Sequence, residues 1–177
     1  MHITVVLLGK TVPGLPQLME SISKTFGASV SYQFVDLPFT RSFRNSRNQY
    51  DAELFLKEMS HLIPMAPERL LYIIREDIFA GGQESVFGYS LGRCSIISLT
   101  RLDPRFYGEV PAIAEGAALL RERMMKEALH ELGHTFRLGS CGEKNCLMAL
   151  SQSVEAVDSK GSVFCARCSD IIKSSKA

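Results

Sequence analysis

Three residues in the second half of the chain have the types and spacing of a catalytic metal site. His130, Glu131 and His134 form the pattern HExxH within a run of strong helix formers. Residues four apart lie on one face of a helix, so both imidazoles can bind the same metal ion. The carboxylate of Glu131 can then hold a water molecule on that metal and act as its base. A pair of surface histidines on a solvated helix is the alternative, and the apolar character of this helix argues against it.

Four of the five cysteines form a second candidate metal site. Cys141 and Cys146 are separated by four residues, and Cys165 and Cys168 form a CxxC pair. Four thiolates brought together in this way can bind a zinc ion in tetrahedral geometry. A redox CxxC pair is the alternative, but such a pair is expected near the start of a fold, after its first strand. The fifth cysteine, Cys94, lies in a β-prone run and is predicted to be a buried core residue.

The composition of the 177-residue chain limits its class. Hydrophobic residues make up 46% and charged residues 22%, as expected for one globular domain with a core. The net charge of +1 gives no long-range attraction to nucleic acid or anionic lipid. Residues 1–9 resemble a first strand rather than a signal peptide, and no stretch is long enough to span a membrane. We therefore predict a cytoplasmic protein, in which close cysteine pairs bind metal rather than form disulfides.

Hydrophobic periodicity predicts the elements that position these residues. Apolar runs predict three buried strands, at residues 3–8, 30–35 and 70–74. Apolar residues at helical spacing predict two helices between these strands, at residues 15–26 and 50–62. This alternation argues for a parallel sheet. The glycines of residues 76–90 predict a surface loop, and Cys94 to Leu99 is predicted to be an edge strand. A long helix over residues 113–136 carries HExxH, and a short helix over residues 165–173 ends the chain.

The fold class predicted from these elements is α/β (α+β). We expect a twisted mixed sheet of four or five strands with an antiparallel edge strand, two helices against it, and then the active-site helix. From Gly139 onward the chain is rich in Ser, Gly and Cys and has little room for a core of its own. We predict one domain over residues 1–177, with an N-terminal subdomain of about residues 1–136. We expect the C-terminal subdomain, about residues 137–177, to be held together by a zinc ion bound to the four cysteines.

The stretch HELGHTFRLGSC, followed by Cys146, Met148 and the CxxC pair, resembles the signature of the archaemetzincin family of metallopeptidases. In that family HExxHxxGxxH is followed at once by cysteine, then by Cys-x-Met and CxxC. The segments at residues 48–52 (NQYDA), 87–90 (FGYS) and 101–102 also look like family segments, so the resemblance spans most of the chain. It implies a metzincin-like fold with two zinc sites and the following residues: His130 and His134 on catalytic zinc, Glu131 as general base, Met148 in the turn beneath, and Cys141, Cys146, Cys165 and Cys168 around structural zinc.

Two positions depart from the family pattern inside this motif. Arg137 stands where the family has the glycine that turns the chain, and Ser140 stands where it has the third zinc histidine. A serine hydroxyl is a poor zinc donor compared with imidazole. The remaining histidines, His2 and His61, have no geometric reason to approach the site. We expect Gly139 to supply a left-handed cap, so that the helix extends about two residues further and Arg137 lies in its last turn.

The leading hypothesis for function is hydrolysis of peptide bonds in a peptide or protein substrate. The peptide would lie extended along the predicted edge strand, over residues 95–100. A metzincin-like protein that binds peptide or metal without cleaving is the competing hypothesis: Ser140 and Arg137 favour it, whereas the intact Glu131 favours the enzyme. A zinc-ribbon-like nucleic-acid binder is disfavoured, because from residue 137 onward six basic residues face four acidic ones, with one aromatic residue among them.

Overall fold

A computed structural model describes residues 1–36, 41–62 and 69–175. Eight strands and five α-helices lie in these ranges, together with one short 3₁₀ helix. In chain order they are β1 His2–Leu8, α1 Leu15–Phe26, β2 Ser29–Val35, β3 Phe43–Arg44, β4 Gln49–Asp51, α2 Ala52–Leu62, β5 Arg69–Ile74, β6 Ile78–Phe79, β7 Gly88–Leu91, β8 Cys94–Ser98, the 3₁₀ helix Pro104–Tyr107, α3 Ile113–Thr135, α4 Val154–Ser159 and α5 Ala166–Ser174.

The main sheet has five strands in the order β2-β1-β5-β8-β7. The first four are parallel to one another, and β7 pairs antiparallel with β8. The predicted mixed sheet with an antiparallel edge strand is therefore confirmed. A small second sheet consists of β3, β4 and β6, and the hydrophobic periodicity of the sequence did not predict it.

The inner strands of the main sheet, β1, β5 and β8, are buried on both faces. The expectation that residues 30–35 form a buried strand is wrong, because β2 lies at an edge of the sheet and none of its residues is buried. In β1, Val5 belongs to a core shared with α1 and α3, while its neighbour Val6 belongs to a second core shared with α2. The sheet thus lies between two helical layers, and β1 and β5 have nearly continuous apolar sequences for this reason. None of the described helices is long and apolar enough to cross a bilayer.

The position of the edge strand differs from the sequence prediction. Residues 94–99 were expected to form the edge, but β8 pairs with β5 on one side and β7 on the other, and all five of its residues are buried. The antiparallel edge strand is instead β7, and three of its four residues lie in the segment predicted to be a surface loop. The antiparallel hairpin returns the chain to the outside of β8, and the turn at Gly92 makes this possible. A peptide therefore cannot lie along residues 95–100.

The helices lie close to their predicted positions. The first is found over the predicted range, and the long helix ends at Thr135, one residue earlier than expected. The second helix begins at Ala52 because the preceding residues pair in the small sheet, and the carboxylate of Asp51 accepts a hydrogen bond from the N–H of Leu54. His61 lies within this helix, and its side chain is outside the described residues.

A polar interface joins α3 to the segment around α4. Arg123 donates two hydrogen bonds to Asp158, and the ammonium group of Lys126 donates to the carbonyl of Val157. One turn after Arg123 in α3, Glu127 forms an ion pair with Lys160 at 2.5 Å, and both side chains are almost fully buried. The C-terminal segment is thus held against α3 by buried charges as well as by apolar packing.

Replacing Lys160 with methionine should destabilise the fold by about 3–5 kcal/mol, because it leaves the carboxylate of Glu127 buried and unpaired. Urea unfolding measures this difference. In the double variant Lys160→Met/Glu127→Leu, which removes both charges, most of the lost stability should return. A single variant as stable as the wild type would contradict the assignment of a buried pair.

Candidate metal centres

The two histidines of HExxH are held by backbone carbonyl groups beyond the end of α3. The Nδ1 of His130 donates to the carbonyl of Leu147 at 2.9 Å, and the Nδ1 of His134 donates to the carbonyl of Leu138 at 2.8 Å. A carbonyl oxygen only accepts, so in both rings Nδ1 carries the proton and Nε2 presents a lone pair. The chain that follows the helix therefore sets the tautomers that metal binding requires.

The two Nε2 atoms fit a shared metal ion. They lie 3.1 Å apart at a partly buried site. Zinc bonds of about 2.0–2.1 Å in tetrahedral geometry would separate two nitrogen ligands by roughly 3.3 Å, close to this distance. Burial, with a contribution from the nearby Lys160, lowers the pKa of His130 to about 3, so this imidazole is neutral and able to bind metal.

Glu131 points from α3 towards the edge strand. Its side chain is buried, and burial raises its pKa to about 8 although the hydrogen bond to Ser90 opposes this shift. The hydroxyl of Ser90 lies 2.5 Å from the Oε2 of Glu131. The side chain also packs on Gly88, where an added Cβ would lie 2.5 Å from its Cγ. The carboxyl group thus occupies space that only glycine leaves open.

The four cysteines of the C-terminal segment lie together. The sulfur atoms of Cys141 and Cys165 are 3.9 Å apart, and those of Cys146 and Cys168 are 3.8 Å apart. All four lie within 4.8 Å of one another. Four Zn–S bonds of about 2.3 Å in tetrahedral geometry give edges of roughly 3.8 Å, so this cluster fits a zinc ion. Cys94 is buried in β8, as predicted, and is not part of the cluster.

Three consecutive residues connect the two candidate centres. Cys146 contributes its sulfur to the cysteine cluster, and the carbonyl of Leu147 accepts the hydrogen bond from His130. The next residue, Met148, is fully buried and packs under α3, where an added Cβ on Gly133 would lie 2.6 Å from its sulfur. We call residues 146–148 the bridging loop. The geometry of one centre therefore depends on that of the other.

The chain reverses after α3 at Arg137 itself. Its φ of 65° is in the left-handed region, which glycine adopts without the steric cost of a Cβ. Gly139 does not have a positive φ, and the helix does not extend, so the expectation that Gly139 caps a longer helix is wrong. Closing the turn places the carbonyl of Leu138 on His134, and this contact accounts for the strained backbone. Arg137 thus turns the chain where the family has glycine.

Ser140 is exposed and lines a cleft of about 630 Å³ together with both histidines and Glu131. The walls of this cleft include β7 on one side and residues 150–155 on the other. Among the described His, Cys, Asp and Glu side chains, only Glu131 joins the two histidines as a group able to hold a metal. His2 is distant from them, because its ring bonds to the hydroxyls of Ser29 and Ser31.

Sequence reasoning gave no role to two groups that the structure places at the site. The FGYS segment was noted only as a family segment, but its Gly88 and Ser90 contact Glu131. Lys160 was counted only as a charge, but it pairs with Glu127 one turn before His130. The available signal was weak, because a glycine and a serine two residues apart share one face only if the segment is a strand.

Comparison with known proteins gives consistent matches. The sequence profile described as peptidase family M54 matches residues 40–174. An archaemetzincin from Sulfolobus acidocaldarius is 41% identical over 133 residues, covering 72% of this chain and 71% of that protein. The crystal structure of archaemetzincin from Methanopyrus kandleri is similar with a TM-score of 0.83 and 31% identity, covering 99% of this chain and 95% of that one. A zinc-dependent peptidase from Methanocorpusculum labreanum is similar with a TM-score of 0.78 and 25% identity, covering 96% and 99% of the two chains.

A mixed sheet with an antiparallel edge, a helix carrying HExxH beside it and a four-cysteine cluster together define a zinc metallopeptidase. With these matches, the chain belongs to peptidase family M54, the archaemetzincin family. The resemblance found in the sequence is confirmed.

Proposed function

We propose that this protein hydrolyses peptide bonds at the histidine site, with His130 and His134 as zinc ligands and Glu131 as general base. The observation that carries the proposal is the pair of Nε2 atoms aimed at one point beside a buried carboxyl group on the wall of an open cleft. Zinc bound there would polarise the scissile carbonyl and acidify a water molecule. Glu131 would take a proton from the attacking water and pass it to the leaving amine.

The ladder between β7 and β8 supports a docking position for the substrate. The N–H of Ser98 donates to the carbonyl of Phe87 at 2.9 Å, so these two residues form a hydrogen-bonded pair. Such pairs alternate along an antiparallel ladder, so the backbone of Tyr89 also faces β8. The N–H and C=O groups of Gly88 and Ser90 therefore face the free edge, where an extended peptide can pair with them beside Glu131.

We further propose that Cys141, Cys146, Cys165 and Cys168 hold a structural zinc ion. Their sulfur distances fit a tetrahedral site closed to other ligands, which is the arrangement of structural rather than catalytic zinc.

A second candidate function is binding of peptide without cleavage. The observation that favours it is Ser140, which faces the same cleft where a third imidazole would complete the catalytic site. Catalytic zinc sites ordinarily have three protein ligands and a water molecule.

Zinc analysis and peptide hydrolysis distinguish the two candidates. For the enzyme we expect two zinc ions per chain in excess zinc, with cleavage of a mixed peptide library detected by mass spectrometry. The Glu131→Gln variant should keep both zinc ions and lose activity by about 10²-fold or more, because only the base is removed. One zinc per chain and no cleavage would favour the binding protein. Equal cleavage by wild type and Glu131→Gln would exclude Glu131 as the base.

A further inference from the structure

We infer that Ser90 is a positioning residue, which holds the carboxyl group of Glu131 against the strand that docks the peptide. This inference rests on the proposed function and extends it, because it assigns a role to a side chain outside the HExxH motif. Ser90 lies 41 residues before Glu131 in the chain, and β7 brings the two together.

The hydroxyl of Ser90 contacts both the carboxyl group and the backbone carbonyl of Glu131. Among the described residues, the only side-chain hydrogen bond to the carboxyl group of Glu131 is with the hydroxyl of Ser90. The same hydroxyl lies 2.9 Å from the backbone carbonyl of Glu131, so it contacts both ends of this residue. A glutamate side chain has three rotatable bonds, and a hydrogen bond at its end selects one of their combinations.

Gly88 provides the backbone surface against which the side chain of Glu131 packs. Gly88 and Ser90 are two residues apart on a strand, so they share the face of β7 that is turned to α3. The Cγ, Cδ and Oε1 of Glu131 all lie within 2.9 Å of the position that a Cβ on Gly88 would occupy. The carboxyl group thus packs against the backbone at Gly88 and is held in place by the hydrogen bond to Ser90.

Substrate docking and base positioning involve the same residues. The backbone groups of Gly88 and Ser90 face the free edge of the sheet, where the peptide pairs, while their other side contacts Glu131. A peptide bound to this edge is therefore placed in register with the base. Errors of about 1 Å in such placement can cost about 10²-fold in rate, so an unanchored carboxyl group would slow the chemical step more than it weakens binding.

A structural tether between β7 and α3 is the simpler explanation of this hydrogen bond, and three variants separate the two roles. Ser90→Ala removes the hydroxyl, and Ser90→Thr keeps it. Ser95→Ala is the matched control, because Ser95 is the cross-strand partner of Ser90 and its hydroxyl donates to Leu70 instead of Glu131.

We expect Ser90→Ala to lower kcat by about 10–100-fold with KM within about twofold of wild type and with unchanged zinc content. The Tm should fall by only a few degrees, because the buried carboxyl group loses one hydrogen bond. Ser90→Thr should retain most of the activity, and Ser95→Ala should keep the wild-type kcat. Equal losses in Ser90→Ala and Ser95→Ala, or an unchanged kcat in Ser90→Ala, would overturn the inference.

A crystal structure of the metal-free Ser90→Ala protein gives a readout independent of activity. We expect the side chain of Glu131 to move away from the backbone at Gly88. The metal-free variant should bind an uncleaved peptide with the same affinity as the metal-free wild-type protein. A Glu131 side chain that stays in place would overturn the inference, whether or not the protein cleaves peptides. Absence of cleavage by every variant would instead count against the proposed function.

Discussion

Replacing Ser140 with histidine should raise the zinc affinity of the histidine site by about 10–100-fold or more and raise peptidase activity with it. Losing a direct ligand costs at least as much as losing a residue that supports one, for which this range is typical. Ser140 is exposed and lines the cleft that holds His130 and His134. Zinc titration of the two proteins, together with rates of peptide cleavage at micromolar zinc, measures the difference.

The turn at Arg137 makes the single substitution sufficient. Arg137→Gly is not required to turn the chain, because the backbone already has a positive φ at Arg137. Arg137→Gly should therefore add about 1 kcal/mol of stability, by relieving a left-handed non-glycine residue, and leave zinc affinity unchanged. Adding Glu131→Ala to Ser140→His should keep the zinc and lose the turnover. If Ser140→His changes neither zinc content nor activity, the third ligand comes from elsewhere and the proposed site is wrong.

Replacing Cys168 with serine should release the structural zinc and lower the Tm by several degrees or more. Structural zinc sites contribute folding free energy directly, and Cys168 is buried within the cluster. We also expect the C-terminal segment to become sensitive to limited proteolysis, while the five-stranded sheet stays folded. Through the bridging loop, the variant should lose zinc at the histidine site too, because His130 depends on the carbonyl of Leu147.

The matched control is Cys94→Ala, which removes a buried cysteine outside the cluster. It should keep both zinc ions and the wild-type pattern of proteolysis. A Cys168→Ser protein that retains two zinc ions per chain would contradict the four-cysteine assignment. A disulfide between Cys165 and Cys168 in protein prepared under reducing conditions would contradict it as well.

The parts of the fold that sequence predicts well are those fixed by local periodicity. The helix over residues 15–26 has apolar side chains at helical spacing and glycine just after its end, and the structure ends it at Gly27 in the left-handed region. HExxH and the four cysteines were identifiable because ligand chemistry restricts both residue type and spacing. These features depend little on the rest of the chain.

The position of the edge strand depends instead on pairing between distant segments. Strand β7 has four residues and begins with glycine, so its own sequence carries little β signal. The neighbouring β8 carried a β signal, but its five residues do not show that a further strand pairs with it. Similarly, the positive φ of Arg137 follows from the contact of Leu138 with His134, which spacing along the chain does not show.

The bridging loop also affects the order in which a newly made chain binds its two metal ions. Before the cysteines gather around their metal, the carbonyl that fixes the ring of His130 has no defined place, so the histidine pair is not yet preorganised. We therefore expect metal loading to follow an order, with the thiolates filled first and the imidazoles afterwards. A newly made chain in zinc-poor surroundings would then fold before it becomes active, and the supply of the second ion would decide when activity begins.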